Sequence, residues 1–476
     1  MEEIYEYFLY NTNQYLLSHN KEYRKSFSQF FTPVDIAKFM VEDLKLEEKK
    51  EHLFILEPAA GAGILLLALL EKIYKEFVFV KKITIVAFEI DHNLYGVLTK
   101  NINFMRNFLK NQVEIEPIIK NMNFIDEYGE IWKDNNNFFS SKRNIYNKFD
   151  LIISNPPYKK INKNSHENIY FDKLILGQPN LYHLFIALSL KLLDKNGIFM
   201  LISPKNYLGG KYTEKLRRYI FEKFSLYRLH IFNERSKIFN GEILQEICIS
   251  HYKNKKENSV KLTYNGKTRE SFKVKISDIL MKNSYALLFL RTKEDLNFKL
   301  SLKKNGKTLK EQGLIFRVGE IVQFRIPQSE KKTELFDSDG IPLLIVQHIK
   351  KSKINYCEVF SRTTAKKNIS LKFTEMTKKK SLKNENYVVL RKNVDFATED
   401  FIQAAVIKKG FFESDYIAID NNLAYITSIN GELSYTRARK ISAYLNSEEF
   451  ERYYKMLNNS HTINSYEIEN MFFPIF

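Results

Sequence analysis

Cysteine is nearly absent: Cys248 and Cys357 are the only two in 476 residues, and neither sits at a metal-ligand spacing. That argues against a disulfide framework and against a zinc site, and points to a reducing compartment with no metal. Glycine and proline are sparse as well, at 16 and 10 residues, so collagen-like and low-complexity linker architectures are excluded. Long apolar runs are missing. The longest aliphatic run, Ile64 to Leu70, is far too short to span a bilayer. The opening residues, Met1-Glu2-Glu3-Ile4-Tyr5-Glu6, are acidic rather than basic and apolar, so no signal peptide is expected. A soluble cytoplasmic protein, not attached to a membrane, is the expectation. Acidic residues are also in deficit, with 56 Asp and Glu against 74 Lys and Arg, a net charge of +18 and a pI near 9.3. Such a balance calls for an anionic partner, nucleic acid before membrane surface, although an AT-rich source genome would inflate Lys and Asn to the same effect.

What is present is the composition of a folded protein, 44% hydrophobic and 14% aromatic. The length exceeds one ordinary domain, so two are expected. Residues 1–28 read as a helical lead-in rich in Tyr and Leu. Thr32-Pro33-Val34-Asp35 then opens a helix, with Thr as N-cap and Pro at the first helical position. From Leu53 strands and helices alternate: strand 53–56, helix 64–74, strand 83–88, helix 94–110, strand 113–119, a strand from Phe149, helix 181–193 and strand 198–203. Alternation of this kind means an α/β fold with a parallel sheet, whose ligands sit beyond the carboxyl ends of the strands. The polar, Asn-rich stretch 127–148 reads as a loop. After about Tyr252, Lys-rich turns such as Lys378-Lys379-Lys380 separate short mixed segments without βα alternation. The boundary is placed near 255, between a catalytic domain over 29–255 and a mixed α+β domain over 256–476.

Two segments carry chemistry. The first, Glu57-Pro58-Ala59-Ala60-Gly61-Ala62-Gly63, is a strand-to-helix turn with two glycines. It is not the full dinucleotide fingerprint, because Leu66 stands where the third Gly would be, and no Gly-Lys-Ser/Thr follows to make a P-loop. Glu57 at the strand end opposes a phosphate and suits a cationic ligand. S-adenosylmethionine, with an ammonium, a sulfonium and no phosphate, meets that requirement. Glu89 ends the next strand in Phe88-Glu89-Ile90-Asp91 and is placed to accept from both hydroxyls of a ribose. In the third loop Phe124 could cover an adenine ring and Asn123 bond its edge; a core Phe and a turn-forming Asn are the ordinary alternatives.

The second segment is Asn155-Pro156-Pro157-Tyr158, at the end of the apolar run 149–154. The prolines fix φ and donate nothing, which leaves their carbonyls free to accept. The Asn oxygen adds an acceptor and Tyr158 a flat face, so the corner can hold a planar substrate by its amino group. A strand ending in an X-Pro turn is the plainer reading.

In this order the segments resemble the amino-methyltransferases of DNA in the γ arrangement, in which cofactor segments precede the catalytic one and a target-recognition domain follows. Phe30-Phe31-Thr32-Pro33 resembles the family's first cofactor segment, Glu57 to Gly63 the Gly-rich one, Glu89-Ile90 the ribose acid and its neighbour, and Asn155 to Tyr158 the catalytic motif. Asn180-Leu181-Tyr182-His183-Leu184-Phe185, Ile202-Ser203-Pro204-Lys205, Leu244-Gln245-Glu246, Asn386-Tyr387-Val388-Val389-Leu390-Arg391 and His461-Thr462-Ile463-Asn464 are similar to the N6-adenine modification enzymes of type II restriction systems, of Pst and Taq type. The family usually has Asp where Asn123 stands.

The resemblance implies a Rossmann-like S-adenosylmethionine-dependent methyltransferase domain. It implies methyl transfer to the N6 amino group of adenine in double-stranded DNA, with the target base flipped out of the duplex. Asn155 and Pro156 would accept the two amine hydrogens; Tyr158 and Phe239 would stack on the faces of the base, although Phe239 also suits a core position. Arg391, Lys392, Arg437 and Arg439 are candidates for DNA contacts in the C-terminal domain, with solvated surface charge as the ordinary reading. A monomer, with room for a cognate restriction endonuclease as partner, is expected. The competing readings are an RNA-base or protein-glutamine methyltransferase and a non-catalytic DNA specificity subunit. No nuclease motif is found.

Overall fold

The computed structural model describes residues 1–133, 148–171, 174–232, 246–265, 269–281, 283–327, 329, 331–332, 340–350, 352–356, 370–394, 401–457, 462–463 and 465–476. They form two compact units, Met1–Leu287 and Leu288–Phe476.

The first unit opens with helices α1 (Glu2–Ser18), α2 (Lys21–Ser26) and α3 (Val34–Val41). Then come β1 (His52–Glu57), α4 (Ile64–Glu76), β2 (Lys82–Phe88), α5 (His92–Leu109), β3 (Glu114–Lys120), α6 (Phe124–Lys133), β4 (Phe149–Ser154), α7 (His166–Ile169), α8 (Leu181–Leu192), β5 (Leu193–Pro204), α9 (Glu214–Lys223), β6 (Ser225–Ile231), β7 (Ile247–Lys253), β8 (Ser259–Asn265) and β9 (Arg269–Lys275). The nine strands form one sheet in the order β3-β2-β1-β4-β5-β7-β6-β8-β9. Its first five strands are parallel, and β7 enters antiparallel between β5 and β6.

The parallel strands are apolar throughout because helices cover both faces. Leu53, Ile55, Ile83, Ile85, Leu151 and Ile153 turn to one face, where they share a core with Leu65, Leu66 and Leu69 of α4 and with Leu98 and Ile102 of α5. On the other face Phe88 and Phe149 meet Phe124 and Tyr128 of α6. Each of the fully buried leucines of α4 contributes about 2 kcal/mol of transfer free energy, which outweighs the weak left-handed start of that helix at Gly63. Strand order reverses between β1 and β4, which leave the switch point on either side of it.

One expectation is overturned here. The stretch from Glu127 is not all loop: α6 runs to Lys133, because Phe124, Ile125, Tyr128 and Ile131 form a buried helical stripe. Strands β6 to β9, antiparallel except where β6 meets β8, also extend a sheet whose alternation pattern in the sequence ends at β5.

The second unit contains an antiparallel sheet of Leu314–Val318, Leu423–Ser428, Tyr387–Arg391 and Ala404–Ile407, in that spatial order. A second, mixed sheet of five short strands includes Gly340–Leu344 and Tyr416–Ile419, and helix Tyr435–Leu445 packs on the first sheet. It is mixed α+β. Among the described residues no helix is long and apolar enough to cross a membrane, and no group of three His, Cys, Asp or Glu could hold a metal ion.

Candidate active site

β1 and β4 are hydrogen-bonded neighbours, with Leu56 opposite Ile152, so the Glu57 and Asn155 segments leave the same edge of the sheet side by side. In the first loop Gly61 and Gly63 take φ of +57° and +87°, the left-handed region that glycine adopts without a Cβ penalty. The turn is held by Ala60 N–H donating to Phe88 O at 2.8 Å and by Gly61 N–H donating to Glu89 Oε2 at 2.9 Å. The other oxygen of Glu89 accepts from Asp91 N–H at 2.9 Å.

Glu57 and Glu89 are both buried at neighbouring strand ends, and the segment 57–63 has no basic residue. Burial pushes the Glu89 carboxyl up to about 7, against backbone donors that pull it down. Burial first, and the nearby Glu89 second, push Glu57 well above the usual carboxylate range. Glu57 Oε2 is buried and has no hydrogen-bond partner among the described residues. Beside them Ile90 is 52% exposed, a large apolar side chain standing out next to the acid. A buried carboxylate pair with an unsatisfied oxygen, an open glycine turn and an exposed apolar neighbour suits a cationic ligand that also brings hydroxyl donors.

Asp91, the N-cap of α5, is the centre of a network that the sequence did not suggest. Tyr15 and Gln29 donate to its Oδ2, and Tyr23 donates to Oδ1 at 2.9 Å. Asn93 N–H caps onto the same Oδ1 at 2.9 Å. Burial opposes the charge, but these donors prevail and hold Asp91 below the ordinary Asp range. The helical lead-in is thereby tied to the residue two past Glu89. An Asp one residue before an apolar-periodic helix was the available signal.

At the second loop, Asn155 Nδ2 donates to Thr32 Oγ1 at 3.0 Å and to Phe30 O at 3.2 Å. Tyr158 donates its hydroxyl to Asn155 Oδ1 at 2.7 Å. The Tyr158 ring stacks on Phe30 at 5.7 Å and meets Tyr182 edge-on at 5.9 Å. Past the motif, Leu181 N–H donates to Lys159 O at 2.8 Å, and Asn180 caps α8 together with His183, whose burial pushes its imidazole down to about 3. Thr32 is not the expected N-cap: α3 starts at Val34 after Pro33, with no side-chain cap, and the Thr32 hydroxyl faces Asn155 instead. Phe31 packs with Tyr15, Ala62 and Leu94, beside the glycine turn.

The remaining expected residues are placed as follows. Pro58 is buried and Ala59 half-buried in the turn; Pro156 is buried and Pro157 half-buried; Pro33 is exposed. Asn123 Oδ1 accepts from Ile125 N–H at 3.0 Å, which caps α6. Phe124 is 1% exposed, among Phe88, Tyr128 and Phe185. Phe239 lies outside the described residues, as do Leu244, Gln245, His461 and Asn464; Glu246 is described and pairs with buried Lys205. In the second unit Arg391, Lys392 and Arg437 donate to the backbone carbonyls of Ile349, Asn421 and Gln312.

The sheet order, with its antiparallel β7, and the loops at the switch point define a Rossmann-like methyltransferase fold. Residues 65–239 match the model of the Eco57I restriction-modification methylase family. The type II methyltransferase M.BsuBI of Bacillus subtilis is 26% identical over 95% of this chain and 88% of its own length. The type II methyltransferase M.PstI of Providencia stuartii is 26% identical over 69% of this chain and 65% of its own. The type I restriction-modification methyltransferase subunit of Streptococcus thermophilus aligns at 17% identity over 58% of this chain and 52% of that one, with a TM-score of 0.38. The chain is thus similar to type II methyltransferases and, over residues 65–239, to the restriction-modification methylase family.

Proposed function

We propose that this protein is a site-specific DNA methyltransferase that modifies the N6 amino group of adenine in duplex DNA, with S-adenosylmethionine as methyl donor, within a restriction-modification system. The observation that carries the reading is the pairing of two loops on adjacent strands: a glycine turn with buried carboxylates after β1 and an Asn-Pro-Pro-Tyr corner after β4. The kinship with type II methyltransferases supports it.

The residues fit S-adenosylmethionine. Glu57 Oε2, buried and unsatisfied among the described residues, needs a donor or a cation. Glu89 can accept from ribose hydroxyls, exposed Ile90 offers a surface for the adenine, and Gly61 has open space where its side chain would be. Phe31, Thr32 and Pro33 complete this region in the family's manner, and Asn123 and Phe124 enter only through the helix they begin. When bound, this donor supplies an electrophilic methyl group on a sulfonium.

The exocyclic amine of adenine is a poor nucleophile because its lone pair is delocalised into the ring. Asn155 Oδ1 and the Pro156 carbonyl accept its two hydrogens, localise the lone pair and bear the positive charge that develops on nitrogen. Positioning supplies much of the remaining rate, and no strong base is required, since the proton can leave after transfer. The base leaves the duplex to reach this corner, where Tyr158 stacks on one face and Phe239 on the other. The catalytic role belongs to residues 29–255 and target recognition to 256–476, where β8 and β9 first continue the catalytic sheet, with phosphates bound by Lys and Arg. A monomer with a separate cognate endonuclease completes the picture.

Long-read sequencing of DNA from a methylation-free host expressing this chain, beside Asn155→Ala, tests the proposal. N6-methyladenine at one short motif, absent in the variant, is expected. No modified adenine from a folded protein that binds S-adenosylmethionine would sink the proposal and direct the search to RNA bases or protein glutamine.

A further inference from the structure

We infer that Thr32 is a positioning residue for Asn155, tying the first cofactor segment to the amine-accepting oxygen. The inference rests on the methyltransferase reading above. An Asn amide can be turned by 180° with little change in shape, and the turned form would aim an NH2 at the substrate amine in place of an acceptor. One contact chooses between the two, and two hydroxyls, which can donate or accept, then hold the chosen form. Phe30 O is a carbonyl and can only accept, so the group 3.2 Å from it must be Nδ2. Thr32 Oγ1 accepts from the same Nδ2 at 3.0 Å. On the opposite side the Tyr158 hydroxyl donates to Oδ1 at 2.7 Å. The amide is held from behind by residues 30 and 32 and presents its oxygen forward.

Thr32 is free for this task because it does not cap α3, although its place before Pro33-Val34 is where a cap would stand. Its side chain is 8% exposed, so a lost partner is not simply replaced by water. Phe30 reinforces the link by stacking on Tyr158. Any ligand that settles segment 30–33 therefore also settles Asn155, which couples an occupied cofactor site to a correctly oriented acceptor.

The test compares Thr32→Val and Thr32→Ser. In selectively 15N-asparagine-labelled protein, free of DNA and cofactor, the Asn155 side-chain amide signal is assigned by its loss in Asn155→Ala. Slow exchange with water is expected in the parent and in Thr32→Ser, and clearly faster exchange in Thr32→Val. With the methylated motif mapped, single-turnover methyl transfer at saturating S-adenosylmethionine should fall by about 100-fold in Thr32→Val and recover in Thr32→Ser. Adding Thr32→Val to Asn155→Ala should have no further effect. Unchanged amide exchange, or equal loss in both Thr32 variants, would overturn the inference. Where Thr32→Val fails to fold, Thr32→Ala takes its place under the same criteria. The exchange measurement needs no substrate, so it stands apart from whether adenine in DNA is the target.

Discussion

The Tyr158 hydroxyl donates to Asn155 Oδ1 at 2.7 Å, so one of the two lone pairs that would receive a substrate amine is already engaged. Ring and hydroxyl of Tyr158 should therefore separate by mutation. Tyr158→Phe keeps the stack on Phe30 and loses one hydrogen bond, worth about 1 kcal/mol, so the methyl-transfer rate should change by roughly fivefold at most. Tyr158→Ala removes the stacking face and should cost about 1–3 kcal/mol in binding of the flipped base. Fluorescence of 2-aminopurine at the target position reads that loss directly.

Cofactor binding should depend on pH through Glu89. Its carboxyl is raised to about 7, chiefly by burial, and a ligand bringing hydroxyl donors and positive charge needs the ionised form. Affinity should be highest above pH 7 and fall as pH drops through it, with proton release on binding near neutrality. For the free fold the sign is opposite: a raised carboxylate contributes stability that is present below the ordinary Glu range and is lost as pH rises toward 7. The thermal shift produced by S-adenosylmethionine should thus grow from pH 6 to pH 8. Titration calorimetry in buffers of different ionisation enthalpy checks the proton count, and Glu89→Gln should reduce the dependence.

The two glycines of the turn should fail differently. A Cβ on Gly63, at φ +87°, would lie 3.0 Å from Leu98 Cδ1 and 3.4 Å from Phe8 Cε1. Gly63→Ala should destabilise the fold by about 2–4 kcal/mol from backbone strain and crowding together. A Cβ on Gly61, at φ +57°, meets nothing within 4 Å. Gly61→Ala should cost only about 1 kcal/mol in stability yet weaken cofactor binding by roughly tenfold, because the methyl enters space the ligand requires. Denaturant unfolding and calorimetry on both variants decide the matter.

Removing Tyr15 should expose the dependence of this site on the lead-in helix. Tyr15→Phe takes a donor from buried, ionised Asp91 and should cost about 1.5–3 kcal/mol. Asp91 is depressed, so its contribution is present above the ordinary Asp range and disappears as pH falls through its own lower value. With fewer donors that loss should begin at higher pH. Melting temperatures between pH 7 and pH 4 compare the two proteins.

Much of the first unit could be read locally. The strands His52–Glu57, Lys82–Phe88 and Phe149–Ser154 fall within a residue or two of the apolar runs that announce them, since strands buried on both faces leave an unbroken signal. α6 was harder to see because its buried stripe begins at Phe124 and meets the polar, Asn-rich stretch that follows. Phe124 itself shows the limit of residue type: a core ring and a pocket wall call for the same side chain, and its neighbours Phe88 and Phe185 come from elements far apart in the chain.

By itself the sequence determined the α/β class, the glycine turn after β1, the acid after β2 and the rigid Asn-Pro-Pro-Tyr corner, because each follows from backbone preference, periodicity or fixed φ over a few residues. Only the tertiary structure decided what those pieces face. Thr32 looked like a helix cap and became a partner of Asn155, 123 positions away; Asp91, with no role legible in the sequence, became the anchor for Tyr15, Tyr23 and Gln29. Hydrogen-bond partners of buried polar groups are set by which segments the sheet order brings together, and local spacing does not encode that order.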